Sequence, residues 1–292
     1  MIDLDQVRSF VTVIETGSFR DAAQRLGLAQ PTVSQHVQKL ETELDHRLVE
    51  RNRVRATTTP AGLRFLPFAR TLLRLAERAQ DALKRDKLAI GASSNIGVYL
   101  LQPLVRAFQR RRPSPGSIEI RIGTNPETAR RLQDAEVDIA LMEWWDDRPG
   151  FAAEIWRRER LVVIVPPDHP WAARRSIDKA KLLHEPMIGG EPGTGTARLL
   201  QQAFGVEASI LKIGLQLGST EAVKQAVRAG LGVSLTLESA VRDEVKAGTL
   251  RALQVKQTTI AKPLYSIFPT GLPPHNPAAQ FHAFLCTSGP SA

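Results

Sequence analysis

Between Ser18 and Leu44 two short helical patterns flank a single glycine, and their apolar residues leave few ways to pack. Ser18 is a good N-cap, Ala22, Ala23 and Leu26 make a narrow small-residue face, and Gly27 suits the left-handed conformation that ends a helix. Small residues let two helices cross closely. In the next segment Val33, Val37, Leu40 and Leu44 recur at helical spacing and share one stripe that must be buried. At about 100° per residue, Pro31, Ser34, Gln35, Gln38 and Thr42 point the opposite way, with Lys39 on the flank. The pattern predicts a helix-turn-helix whose outward side is made of hydrogen-bonding groups. Gln and Ser suit base edges in a major groove, and Lys39 suits phosphate or guanine.

Flanking segments extend this unit. Leu4, Val7, Phe10, Val11 and Ile14 define a preceding amphipathic helix capped by Asp3, with Gln6 three residues on. After the second helix, residues 48–59 alternate as a two-stranded wing, with Arg51, Arg53 and Arg55 near its tip to meet phosphates or a minor groove. Thr59 and Pro60 then open a long helix as N-cap and first-turn proline. Along it Phe65, Ala69, Leu72, Ala76, Ala79 and Leu83 alternate spacings of four and three. Such a seam asks for a partner helix, and hence for a homodimer presenting two recognition helices to double-stranded DNA with an interrupted palindrome.

These residues resemble the amino-terminal domain of LysR-type transcriptional regulators. The likeness is carried by Glu15-Thr16-Gly17-Ser18-Phe19, Ala22-Ala23, Ala29-Gln30-Pro31-Thr32-Val33-Ser34, Leu40-Glu41 and Thr58-Thr59-Pro60-Ala61-Gly62, in order and at the family's spacing. The resemblance implies that Gln30, Pro31, Thr32, Ser34, Gln35 and Gln38 touch DNA and that Arg51 and Arg53 serve the wing. Family members often carry arginine where this chain has Gln35, so the half-site is not carried over. The resemblance further implies tetramers built from two dimers, and contact with RNA polymerase.

Beyond Lys87 strand and helix patterns alternate, which predicts an α/β architecture with largely parallel sheets. This half resembles the family's effector domain, a pair of periplasmic-binding-protein-like subdomains. The whole chain is thus expected to be an α+β multidomain protein. Its parts are a winged helix-turn-helix over 1–59, a linker helix over 60–87 and an effector-binding domain over 88–292. By the resemblance, subdomain I spans about 88–160 and 266–292, and subdomain II about 161–265.

Several predicted strands end in small polar residues just before helices: Ser93-Ser94-Asn95, Thr124-Asn125-Pro126 and Gly193-Thr194-Gly195-Thr196. Unpaired amides at helix starts favour anions, and ligands of such sheets sit beyond the carboxyl ends of strands. Ser93, Ser94, Asn95, Thr124, Gly193, Thr194 and Thr196 are therefore expected to line a pocket for a small, anionic effector. The family often reads Gly-Ser-Gly-Thr-Arg where this chain has Ala197, with Arg198 one step later. Trp144 and Trp145 are candidates for an aromatic wall.

Other chemistries find little support. The formal charge of +9 fits a polyanionic partner, but both halves of the chain share it, so it locates nothing. The single cysteine, Cys286, permits no internal disulfide, and the six histidines show no recognised metal-binding spacing, so neither metal nor cofactor is expected. The glycine-rich 189–196 stretch lacks the lysine of a phosphate-binding loop, Arg198 replaces the third glycine of a dinucleotide fingerprint, and no nucleophile elbow occurs. An enzyme is not expected. A solute receptor built on the α/β half would leave residues 1–86 without a role. No apolar run of about 18 residues and no signal-peptide core is present, so a cytoplasmic location without membrane association is expected.

Overall fold

The computed structural model describes residues 2–51, 55–84, 87–111, 116–205, 211 and 213–288, with residues 51, 78, 81–84, 197 and 288 described by backbone alone. It divides into two units, Met1–Arg85 with Gln133–Glu136, and Asp86–Leu132 with Val137–Ala292. In the first unit the order is α1 (Leu4–Thr16), α2 (Phe19–Leu26), α3 (Gln30–Glu43), β1 (Val49–Arg51), β2 (Ala56–Thr58) and α4 (Pro60–Lys84). Asp3 caps α1 by accepting from the Asp5 and Gln6 amides, and Ser18 caps α2 by accepting from Asp21. Gln6 does not complete a reciprocal capping box, since its buried Oε1 has no partner. Gly27 closes α2 at φ 66°, a conformation that suits glycine.

The core of this unit is the predicted one. Val7, Phe10, Val13, Val33, Val37 and Leu40 are fully buried, each worth about 1.5–3 kcal/mol of burial. The wing strands pair antiparallel with Val49 opposite Thr58. Glu41 ties the end of α3 to the wing, its Oε1 accepting from the Leu48 and Val49 amides at 2.7 and 3.0 Å. Thr59 accepts from the Gly62 amide at 2.9 Å and so caps α4. Gly62 is needed there because any Cβ would strike the backbone carbonyl of Leu48.

Two positions of the expected seam on α4 pack within the unit itself. Ala69 is fully buried and Phe65 packs beside it in the unit's own core, with the Phe65 ring 5.8 Å from Phe10. Those two positions, followed by the buried Leu73, recur every four residues and so stay on the side that meets α1. Phe68, Leu72, Leu75 and Ala79 share one uncovered side of the helix, with the exposed Leu63 on another; of the predicted seam only Leu72 and Ala79 lie on that side, since Ala76 follows Ala69 by seven residues and shares its side. The side chain of Leu83 lies outside the described residues.

The second unit begins with β3 (Leu88–Ser93), α5 (Ser94–Tyr99), α6 (Leu101–Arg111), β4 (Ile118–Gly123), α7 (Asn125–Gln133), β5 (Ile139–Met142) and the long β6 (Phe151–Val165). It continues through β7 (Ser176–Ile177), α8 (Lys179–Leu183), β8 (Met187–Gly189), α9 (Thr196–Phe204), β9 (Ile213–Gln216), α10 (Thr220–Arg228) and β10 (Ser234–Leu237). After a 3₁₀ turn at Glu238–Val241 come α11 (Arg242–Ala247), β11 (Arg251–Val255), β12 (Ala261–Pro269) and α12 (Pro277–Ser288). The main sheet has the order β4-β3-β5-β12-β6-β11-β7, with β10 also pairing to β6.

The expected, largely parallel sheet is a mixed one. β3 pairs in parallel with β4 and β5, whereas β12, β10 and β11 all run antiparallel to β6. β6 is the reason. Its first part, Phe151 to Arg160, pairs with β12, and its last part, Leu161 to Val165, pairs with β10 and β11, so one strand serves two lobes. Leu88, Ile90, Phe281 and Leu264 fill one core, and Leu161, Val163, Ile177 and Leu253 fill another. The return crossing falls at 260/261 rather than 265/266, because Ala261 already pairs with Arg160 and Leu264 is buried in the first core.

Candidate DNA-reading helix and effector cleft

On α3 the burial of Val33, Val37 and Leu40 forces the other side outward. Gln30, Pro31, Gln35, Gln38 and Lys39 are exposed, and Thr32 and Ser34 are half-buried at its edge. Pro31 occupies the first turn, where its missing N–H costs no helical hydrogen bond. Thr42 donates back to the Gln38 carbonyl at 2.9 Å and is withdrawn from that face. Inside, Ser9 Oγ meets His36 Nδ1 at 2.9 Å, which fixes the roll of α3 against α1. Arg53 lies outside the described residues, as does the side chain of Arg51.

In the second unit a cavity of about 570 Å³ opens among β8, the start of α9, β10 and β12. Asn95, Gly193, Thr194 and Thr196 line it, as expected from the sequence. Ser93, Ser94 and Thr124 are not on its wall. The buried Ser93 donates to Glu143 Oε1 at 3.5 Å, and Ser94 donates to the Gly123 carbonyl at 3.0 Å. Thr124 caps α7, its Oγ1 accepting from the Glu127 amide at 3.3 Å. A small hydroxyl before a helix serves a cap or an internal bond as readily as a ligand.

A buried ion pair that the sequence reading missed forms the floor. Lys262, 2% exposed, donates to Glu143 Oε2 at 2.7 Å, to the Thr194 carbonyl at 3.0 Å and to Thr196 Oγ1 at 2.8 Å, so all three ammonium hydrogens have acceptors. The other carboxylate oxygen of Glu143 accepts from Asn95 Nδ2 at 3.0 Å, and Asn95 Oδ1 in turn accepts from Thr220 at 2.6 Å. A charge at the end of the apolar run Ile139–Met142, and a lysine within a strand, were the only traces of this pair in the sequence.

Three further groups shape the wall. Trp144 Nε1 donates to the Gly193 carbonyl, and the Arg198 guanidinium lies 5.3 Å from the Trp144 ring centre. Trp145 turns into the core instead, edge-on to Phe151. Glu191 lines the cavity with its buried Oε1 unpartnered. Burial pushes its carboxyl above the usual carboxylate range, and the charges of Glu143 and Glu127 act in the same direction against hydrogen bonds from Ser94 and the Asn125 amide. No side chain caps α9, whose amides begin at the cavity between Gly195 and Arg198.

A winged helix-turn-helix with an exposed polar recognition face, and an α/β unit enclosing a small-molecule cavity, together define a ligand-responsive DNA-binding regulator. Residues 4–63 match the profile described as "Bacterial regulatory helix-turn-helix protein, lysR family", and residues 81–288 match "LysR substrate binding domain". The chain belongs to the LysR family of transcriptional regulators. It is 31% identical to the RuBisCO operon transcriptional regulator of Allochromatium vinosum over 97% of this chain and 95% of that protein. It is 47% identical to PtxE of Stutzerimonas stutzeri, described as an HTH-type transcriptional regulator, over 65% of this chain and 97% of that protein. Full-length CbnR, solved in complex with its target DNA, superposes with a TM-score of 0.58 at 23% identity, covering 97% of this chain and 98% of that one. LysR regulators are not enzymes; they bind DNA and small effectors and oligomerise. Among the described residues no helix is long and apolar enough to cross a membrane.

Proposed function

We propose that this regulator reads an interrupted palindrome through the outward side of α3 and answers to a small anion held in the cavity above Lys262. Gln30, Pro31, Thr32, Ser34, Gln35, Gln38 and Lys39 are the residues assigned to DNA, with Arg51 and Arg53 of the wing as phosphate or minor-groove contacts. The carrying observation is the contrast within one helix: three residues with no exposure on one side, and exposed amides, a proline and an ammonium on the other. Dimerisation is assigned to the uncovered face of α4 at Phe68, Leu72, Leu75 and Ala79, and a tetramer with RNA polymerase contact in the cytoplasm belongs to the same reading. The division at 59/60 and 87/88 is kept as its domain scheme.

An anion is favoured by the uncapped start of α9, by the Thr194 and Thr196 hydroxyls and by Arg198. Lys262 acts indirectly, since its hydrogens are committed; it holds Thr194 and Thr196 in place. A ligand shifts the protein only so far as it binds two arrangements of the unit unequally.

Two measurements test the reading. Gln38→Ala should weaken the preferred operator by about 1–3 kcal/mol while leaving random duplex unchanged. Equal losses on both duplexes in a competition gel would remove Gln38 from the base-reading set. In a thermal-shift screen of organic and inorganic anions, at least one should raise the melting temperature, and Thr196→Ala should lose that shift while keeping basal DNA affinity. A variant that shifts like the parent protein would refute the pocket assignment.

A further inference from the structure

In the first lobe, and not among the cavity-lining residues, three side chains of metal-ligating type meet. His282 and Cys286 stand four residues apart on α12, so they share one helix face. Glu154 on β6 lies directly opposite Ser266 of β12 in the sheet ladder, beneath that face. His282 Nε2 is 3.1 Å from Glu154 Oε2 and 3.7 Å from Cys286 Sγ. One ligand atom from each of the three residues lies within 4.8 Å of the other two.

We propose that Glu154, His282 and Cys286 bind one zinc-class divalent ion, with water completing a tetrahedral shell. Metal–ligand bonds of about 2.0–2.3 Å at tetrahedral angles place ligand atoms about 3.3–3.6 Å apart. The two spacings from His282 Nε2, 3.1 and 3.7 Å, lie within a few tenths of an ångström of that, and the acid and the thiol close from within 4.8 Å of each other. The donor set is selective. One thiolate, one imidazole and one carboxylate suit zinc or cobalt, and are wrong for magnesium or calcium, which take oxygen ligands.

The imidazole is also oriented for the task. Ser266 Oγ sits 2.8 Å from His282 Nδ1 and donates to the Glu154 carbonyl at 3.4 Å. Without a metal, Nε2–H can donate to Glu154 Oε2; when an ion takes Nε2 the proton sits on Nδ1, where Ser266 Oγ can accept it while donating to the Glu154 carbonyl. An imidazole fixed through its second nitrogen in this way is the usual support of a metal-bound histidine. Cys286 and Glu154 are exposed, so an ion has an entry path, whereas the His282 side chain is 13% exposed and held by packing on Phe268.

Binding displaces the Cys286 thiol proton to solvent and leaves the imidazole neutral, so a dication, a thiolate and a carboxylate give a site of zero net charge. Affinity therefore rises with pH. The ion would join the last helix to β6, the strand shared by both lobes.

Reduced, metal-free full-length protein titrated with cobalt(II) should develop a thiolate-to-cobalt charge-transfer band and visible bands of tetrahedral cobalt, saturating at one equivalent per chain and bleached by zinc. Cys286→Ser should abolish the charge-transfer band. His282→Ala and Glu154→Gln should each weaken cobalt more than about 10-fold, and Ser266→Ala by about 10- to 100-fold with unchanged circular dichroism. Absence of the band in the parent protein overturns the site. So does an affinity that survives both His282→Ala and Glu154→Gln, since cobalt would then be bound by the thiol alone.

Discussion

Lys262→Met should destabilise the effector unit by about 3–5 kcal/mol, because it leaves the Glu143 carboxylate buried without its cation. Glu143 is 2% exposed, and its nearest compensating charge is the Lys262 ammonium at 2.7 Å. The loss should be readable in isolation. All four tryptophans, at 144, 145, 156 and 171, lie in the second unit, so their fluorescence follows its unfolding in urea and not that of the first. Adding Glu143→Gln to Lys262→Met should recover part of the loss, since the uncompensated charge is then gone. Additive losses in this double-mutant cycle, or a single variant within about 1 kcal/mol of the parent, would show that the pair is not a coupled element of the floor. The anion response should vanish with Lys262→Met as well, because Thr194 and Thr196 lose the ammonium that positions them.

Phe10→Ala should cost the first unit about 3–5 kcal/mol, the usual range for truncating a large buried aromatic side chain. Phe10 is fully buried where α1, α3 and α4 meet and packs against Phe65. For a small domain with a stability of about 5–15 kcal/mol, that loss is a large share of the total. The expected result is operator binding that fails on warming by several degrees earlier than in the parent, with the tryptophan transition of the second unit unmoved. Operator binding with an unaltered temperature profile would mean that the core around α3 is held by something other than this packing.

These two sites differ in how visible they are in the sequence. The Phe10 core is local: Val7, Phe10, Val33, Val37 and Leu40 come from two helices whose periodicity can be read directly, and the caps Asp3, Ser18 and Thr59 stand where the periodic runs begin. The Glu143–Lys262 pair joins residues 119 apart, and Glu154 and His282 are 128 apart. Neither separation leaves a pattern in a single chain. The His282–Cys286 spacing was in plain view, but it becomes a three-donor group only once β6 is laid beneath α12. Ser93, Ser94 and Thr124 misled for a different reason: the chemistry that makes a hydroxyl useful to a ligand also makes it a cap or an internal donor, and only the surrounding backbone decides which.

The α4 helix shows the same division within one element. Its existence, its start at Pro60 and its amphipathic character follow from residue types and spacing. Which apolar positions are left for a partner does not, because Phe65 and Ala69 were claimed by the docking of α4 on α1. Local order, capping and the choice between polar and apolar faces were determined by the sequence alone, since they depend on neighbours within about one or two helical turns. The mixed sheet, the crossing at 260/261, the buried pair and the cluster under α12 were decided by tertiary structure, because each depends on which distant strands lie side by side.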